Sequence, residues 1–523
     1  MRQANQWTRR RLLQASVAGA GVALTRGAVF AQSGGVNLVR APKQALVIGN
    51  SRYRHAPLRN PVNDAKAMAA ALTSAGFGVA LQLDLPQSGM QEAIKRFGEE
   101  LARNKAVGLF YFAGHGAQLA WRNYLIPVDA EIADVQELRE RGVDLNGFIE
   151  GIRRAGNPMN ILILDACRDN PFGSTARIEQ KGLSQLDAPP GTFLAYATAP
   201  GNTAIDGDGG DHGLYTEHLL REIKVPETKV EDVFKRVRLG VRRRSSGLQI
   251  PWESTSLEDD FWFIPPKEVK ALAAQETERQ FKEELAIWEK IQDATQPGPF
   301  EDYLRRYPSG PFTELAQLRL DRALARQGEQ KIQIVSAPEN PYSKGTVSAD
   351  TNFKVGDSYT YSITDLYTKV EIRRETNAVA RITDTEVHYD SGRITDLLGN
   401  LRRYTSGQVS TGGQILGADY SVGKRWITRT ITSLPPGPSL QAESEVRVTG
   451  RERITIAAGT FYAFVVETQG WATGAGVNIQ TRSRHWIAPD RVRLALVVER
   501  LRRGRSGNVV LAEREELVSY KQS

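Results

Sequence analysis

The chain has 523 residues, 41% of them hydrophobic and 24% charged, which is too long for one compact core and ordinary for a globular protein of several domains. Its formal net charge is +8, but Arg2, Arg9, Arg10, Arg11 and Arg26 all fall in residues 1–31, where no Asp or Glu occurs. The remainder is close to neutral and has neither zinc-finger spacing nor a basic-and-aromatic stacking segment, so no nucleic-acid partner is expected.

Residues 1–31 read as an export signal. Thr8-Arg9-Arg10-Arg11-Leu12-Leu13 is a basic start, Ala15 to Leu24 a mild apolar run, and Val29-Phe30-Ala31 a small-residue cleavage site. Paired arginines before Leu-Leu look like a twin-arginine signal. The expectation is a bacterial protein, periplasmic or secreted, with no membrane span in the mature chain. The apolar run is shorter than the ~20 residues a span needs. Residues 32–43 are a Gly/Ser-containing linker.

From residue 44 to 265, apolar runs alternate with amphipathic ones. Strands are expected at 45–49, 78–83, 107–113, 159–164 and 192–197. Helices are expected at 63–75, 91–103, 145–155, 213–223 and 230–243. Continuous apolar strands alternating with helices predict an α/β domain, a mostly parallel sheet covered on both faces. Residues 266–330 read as a small all-α segment and 331–350 as a linker. Residues 351–523 read as an antiparallel β domain, a sandwich or barrel, with alternating segments such as Tyr359-Thr360-Tyr361-Ser362-Ile363.

The chemistry concentrates at two strand ends. His115 follows the 107–113 strand in Ala113-Gly114-His115-Gly116, and Cys167 follows the 159–164 strand in Asp165-Ala166-Cys167. In an open parallel sheet, sites form at the carboxyl edge. A thiolate is a nucleophile whose pKa falls beside a cation, and an imidazole exchanges protons near neutral pH. The N–H groups of Gly116 and Cys167 are candidates for an oxyanion hole. Cys167 is the only cysteine, so an intramolecular disulfide framework is excluded. The bland readings are a structural histidine and a buried inert thiol.

These two boxes resemble those of the caspase/metacaspase superfamily, and their spacing fits the ~50 residues between its His and Cys. Asp165 replaces the Gln of the animal caspase box and Asp169 its Gly. In that respect the chain is similar to metacaspases and bacterial orthocaspases. The resemblance covers residues 44–264 and includes Ala195-Tyr196-Ala197-Thr198-Ala199 and Gln249-Ile250-Pro251-Trp252-Glu253. It implies a cysteine-type endopeptidase with a His115–Cys167 dyad acting on polypeptides. It also implies a pocket for Arg or Lys lined by Asp165 and by Asp64 of Asn63-Asp64-Ala65. A helix cap is the plain alternative for each carboxylate. The competing reading is a catalytically silent caspase-fold scaffold, with the helical and β-rich segments contacting envelope partners. The C-terminal Ala458-Gly459-Thr460-Phe461 and Trp486-Ile487-Ala488-Pro489 look like β-domains of bacterial envelope proteins.

No cofactor or metal is expected. His55, His212, His218, His388 and His485 show no ligand spacing and read as surface or core residues. Asp206, Asp208 and Asp211 share a Gly-rich loop that resembles a calcium site only in its carboxylates, without the distal Glu of an EF-hand, and it reads as a solvated acidic loop. Arg242-Arg243-Arg244 suits a helix C-terminus and doubles as a basic cleavage sequence. Arg177 and Lys181 are candidate autoprocessing positions.

Overall fold

The structure is a computed structural model that describes residues 38–167, 182–200, 202, 210–268, 274–329, 339–433, 439–474 and 476–523. The expected signal, Arg177, Lys181, Asp206 and Asp208 lie outside the described residues.

The apolar runs of the first domain pair into one sheet. Its strands are β1 (Lys43–Gly49), β2 (Gly78–Leu83), β3 (Val107–Leu119), β4 (Arg122–Leu125), β5 (Val143–Asp144), β6 (Asn160–Cys167), β7 (Thr192–Tyr196) and β8 (Trp252–Thr255). The order is β2-β1-β3-β6-β7-β8, with every pairing parallel except the last. β3 runs six residues past the expected 113, and its end hairpins with β4, which pairs in turn with β5. Four-residue β4 and two-residue β5 carry too little periodicity to register in the sequence.

Strand alternation sorts the core into two layers. Odd-numbered residues of β3 and β6, such as Tyr111 and Ile163, pack under α1 (Pro61–Ser74), through Met68 and Leu72. The helices that follow β7 cover the same face, through Leu219, Val233 and Phe234. Even-numbered residues such as Phe110 and Leu162 meet Phe97 and Leu101 of α2 (Gln87–Asn104). The seven-residue α3 (Val135–Arg141), capped by Asp134, precedes α4 (Leu145–Ala155), which adds Phe148 and Ile152 to this second layer. Asp144 caps the start of α4, and Gly156 supplies the left-handed residue that ends it, at φ 61°. After β7 come α5 (Leu214–Glu222) and α6 (Val230–Arg244).

Among the described residues the all-α segment holds three helices, α7 (Ala274–Ile291), α8 (Gly298–Arg306) and α9 (Thr313–Arg326). Their aromatic face (Trp288, Phe300, Tyr303, Phe312) joins one core with Leu239 of α6 and with Trp426, Val446 and Phe464 of the β domain. The β domain is a closed antiparallel barrel of 12 strands between Ser358 and Lys521. Closure removes the sheet edges that a sandwich leaves to be protected.

Residues 339–350 of the expected 331–350 linker are pinned to neighbouring segments. Asn340 donates to the Gln185 carbonyl at 2.8 Å, Ser343 to Asp187 at 2.7 Å, and Thr346–Ser348 pairs with Asp419–Ser421. Polar residues there satisfy buried partners instead of solvent. In the basic run that ends α6, Arg244 is exposed, whereas Arg242 and Arg243 are held in ion pairs. Arg242 is 4% exposed, with its guanidinium 2.5 Å from both Asp321 and Glu329, and Arg243 pairs with Glu301 at 2.7 Å.

Among the described residues no helix is long and apolar enough to cross a membrane.

Candidate functional site

β3 and β6 are adjacent, and their last parallel pair is His115 opposite Cys167. Neighbouring strands lie ~4.8 Å apart, so the register alone brings the expected base and nucleophile to one spot on the sheet's carboxyl edge. Cys167 is described through this backbone position.

His115 is 2% exposed and held from two sides. Its Nε2 lies 2.6 Å from the carbonyl oxygen of Ala56. A carbonyl only accepts, so Nε2 carries the hydrogen and Nδ1 is the acceptor nitrogen of the neutral ring. Its backbone N–H donates to Tyr53 Oη at 2.9 Å, and Tyr53 Oη donates to the Ile126 carbonyl at 3.2 Å. The Tyr53 ring packs against the imidazole with centroids 4.4 Å apart. Ala56 sits at φ 52°, an uncommon conformation for a residue with a Cβ, in the loop whose carbonyl fixes the imidazole.

The glycines beside His115 have different reasons. Gly114 has φ 157°, and a Cβ there would lie 2.5 Å from Tyr53 Oη and 2.9 Å from Phe112 Cζ. Only glycine lets the Tyr53 hydroxyl reach the His115 amide. Gly116 pairs with Leu125 of β4, and the Ile126 N–H donates to the His115 carbonyl at 3.0 Å. Gly108 N–H, eight residues earlier on β3, donates to Met159 at the start of the β6 side. Amide alternation therefore turns the Gly116 N–H toward β6, the side of position 167.

Asp64 and Asp165 converge on the start of α5. A Cβ on Gly213 would lie 3.3 Å from Asp64 Oδ2 and 3.7 Å from Asp165 Oδ2. Asp64 is 2% exposed and accepts from Gly213 N–H at 3.2 Å. His212 Nδ1 lies 2.8 Å from its other oxygen. It is not the cap of α1, whose N-cap Asn60 makes no side-chain cap bond; it serves the N-terminus of α5 instead. Asp165 accepts from Thr216 Oγ1 at 2.6 Å, and Thr216 also meets Tyr111 Oη at 2.7 Å. Burial, then the negative charges of Asp165 and Asp64, push the Tyr111 phenol well above its usual range, so it stays neutral.

The supports that sequence reading missed are Tyr53, Ala56, Gly213, Thr216 and His212. His212 was read as a surface or core residue, and the structure puts it on Asp64. Among the described residues no group of three or more His, Cys, Asp and Glu is placed to hold a metal ion.

A mostly parallel sheet with helices on both faces, carrying His-Gly at the end of one central strand and Cys at the end of its neighbour, defines a caspase-type domain. Residues 42–262 match the family described as the caspase domain, and this part of the chain belongs to the caspase/metacaspase superfamily. The chain is also 30% identical over 182 residues to mucosa-associated lymphoid tissue lymphoma translocation protein 1 of Homo sapiens. The Mus musculus homolog matches at the same identity and over the same length. Each match covers 34% of this chain and 21% of the relative, so this chain spans about a fifth of the curated proteins it resembles.

Proposed function

We propose that this caspase domain is a cysteine endopeptidase that cleaves polypeptides after Arg or Lys, with Cys167 as nucleophile and His115 as proton carrier. The observation that carries the reading is the His115–Cys167 register pair, with the imidazole fixed by its Nε2 so that Nδ1 exchanges the proton. The Cys167 thiolate attacks the scissile carbonyl carbon and forms a C–S bond, while the N–H groups of Gly116 and Cys167 hold the oxyanion. One such donor is worth ~10²–10³ in rate. The C–N bond then breaks, and the amine leaves with the proton from His115. Water attacks the thioester, returns a proton to His115 and releases the thiolate.

The preference for a basic residue is supported by Asp64 and Asp165 gathering at Gly213. Two carboxylates there favour a guanidinium or ammonium through charge-assisted hydrogen bonds. The twin-arginine-like leader supports export to the periplasm or beyond, where the helical and β-rich segments position substrates or envelope partners.

The test uses fluorogenic peptides ending in Arg, Lys or Asp, with the wild-type chain and Cys167→Ala. Hydrolysis of the Arg and Lys peptides by wild type alone supports the proposal. Equal rates for the two proteins, together with failure of a thiol-directed peptide electrophile to label Cys167, would establish the silent scaffold instead.

A further inference from the structure

The C-terminal barrel encloses a cavity of about 490 Å³, within the ~300–1,000 Å³ usual for small-molecule sites. Twelve strands form too wide a barrel for side chains to fill throughout. Tyr361, Ile363 and Leu494 of the β-domain core border the cavity.

Its lining is polar in a way that folding does not require. Five arginines and three glutamates border it. Arg500 pairs with Glu515 at 2.7 Å, and the positive charge of Arg393 also acts on Glu515. Arg393 lies over the Tyr389 ring at 6.0 Å, with a buried Nε that has no hydrogen-bond partner. His485 is 6% exposed, and its Nε2 lies 2.8 Å from Ser483 Oγ; burial and Arg500 keep the ring neutral. Thr428 is 4% exposed, and its hydroxyl, like that of Thr481, is buried without a partner. A buried donor without an acceptor destabilises a protein unless something else supplies the acceptor.

We propose that the barrel lumen is a binding site for a small carboxylate-bearing molecule, whose oxygens accept from Arg393 and the Thr428 and Thr481 hydroxyls. The carboxylate meets the Arg393 guanidinium, whose buried Nε has no hydrogen-bond partner. The apolar wall of Ile415, Leu416 and Ala472 takes the uncharged body of the ligand. The proposal stands apart from the peptidase reading, since none of these residues touches the His115 site.

Isothermal titration calorimetry on the full chain tests it, with acetyl-Ala-Leu as the free acid and as the carboxamide. The pair differs in its charge and in one acceptor oxygen replaced by NH2, and neither offers a basic residue. The free acid should bind at least tenfold tighter than the amide. Arg393→Gln should remove roughly that advantage, and Thr428→Val should weaken binding several-fold while preserving shape. Thermal unfolding of both variants checks the fold, and the isosteric Thr428→Val carries the test if Arg393→Gln unfolds. No binding of the acid, equal binding of acid and amide, or unchanged affinity in a folded variant would each overturn the assignment.

Discussion

Gly114→Ala isolates how the site is built. The added Cβ would lie 2.5 Å from Tyr53 Oη, and the residue would sit at φ 157°. An unfavourable backbone conformation costs about 1–3 kcal/mol, and forcing a methyl into a packed site costs about 1–3 kcal/mol more. The neighbours relax to some degree, so a net loss of about 2–4 kcal/mol is expected. In a domain of this size each kcal/mol lowers Tm by roughly 2–4 °C. The displaced hydroxyl is the one that accepts the His115 N–H at 2.9 Å, so the imidazole shifts with it. A displacement of about 1 Å lowers kcat by about 10²-fold. Gly116→Ala is the control, because it has no positive φ and its Cβ would meet side-chain carbons of Leu183 and Ala166 at 3.0 and 3.1 Å. Its stability loss should be near 1 kcal/mol, the lower end for overpacking. The measurements are thermal unfolding and kcat/KM on an Arg-ended fluorogenic peptide. A Gly114→Ala protein as stable as wild type, or one less perturbed than Gly116→Ala, would refute the reasoning about Tyr53.

Asp165→Asn should lower kcat/KM for Arg-ended peptides by about 10–100-fold, the worth of one charge-assisted hydrogen bond, while thermal unfolding changes little because Thr216 still finds an acceptor. Arg242→Met leaves Asp321 and Glu329 facing each other without the guanidinium between them. It should destabilise by about 3–5 kcal/mol, and calorimetry should then separate unfolding of the caspase domain from that of the helical segment. Glu284 accepts from the buried Tyr303 hydroxyl, and burial raises its carboxyl to about 7. Its folded pKa lies above the unfolded one, so its stabilising contribution is complete below pH 4.5 and is lost as pH rises through 7. The loss amounts to about 3 kcal/mol by pH 8. Glu284→Gln should therefore raise Tm at pH 8 and leave it nearly unchanged at pH 4, as followed by circular dichroism.

The parallel sheet was legible because its signal is local. Runs such as Val107 to Ala113 and Met159 to Leu164 are apolar on both faces, which only a strand covered twice by helices can use. β8 escaped for the opposite reason. Trp252–Thr255 alternates buried and half-buried over four residues and becomes a strand only by adding antiparallel to β7. The barrel was legible as β structure, but sandwich and barrel share the same alternation along each strand. Closure is decided where the first strand (Ser358–Asp365) meets the last (Val509–Lys521), a pairing that no window of sequence contains.

The site divides along the same line. His115 and Cys167 stand out as candidates because each directly follows an apolar strand, and the topology β3 beside β6 turns two strand ends into one register pair. The groups that control them are brought in from elsewhere in the chain. Tyr53 lies 62 residues from His115, Ala56 lies 59 away, Thr216 lies 51 from Asp165, and His212 lies 148 from Asp64. None has a local pattern, since a tyrosine in a loop or a threonine in the first turn of a helix is ordinary anywhere. Gly114 is the exception that sequence could have exploited. A glycine between an apolar strand and a histidine is needed only where another group approaches the backbone, and that group is Tyr53. The sequence therefore points to the candidate His and Cys, whereas the loop after β1 and the start of α5 decide the imidazole's tautomer and where the carboxylates gather.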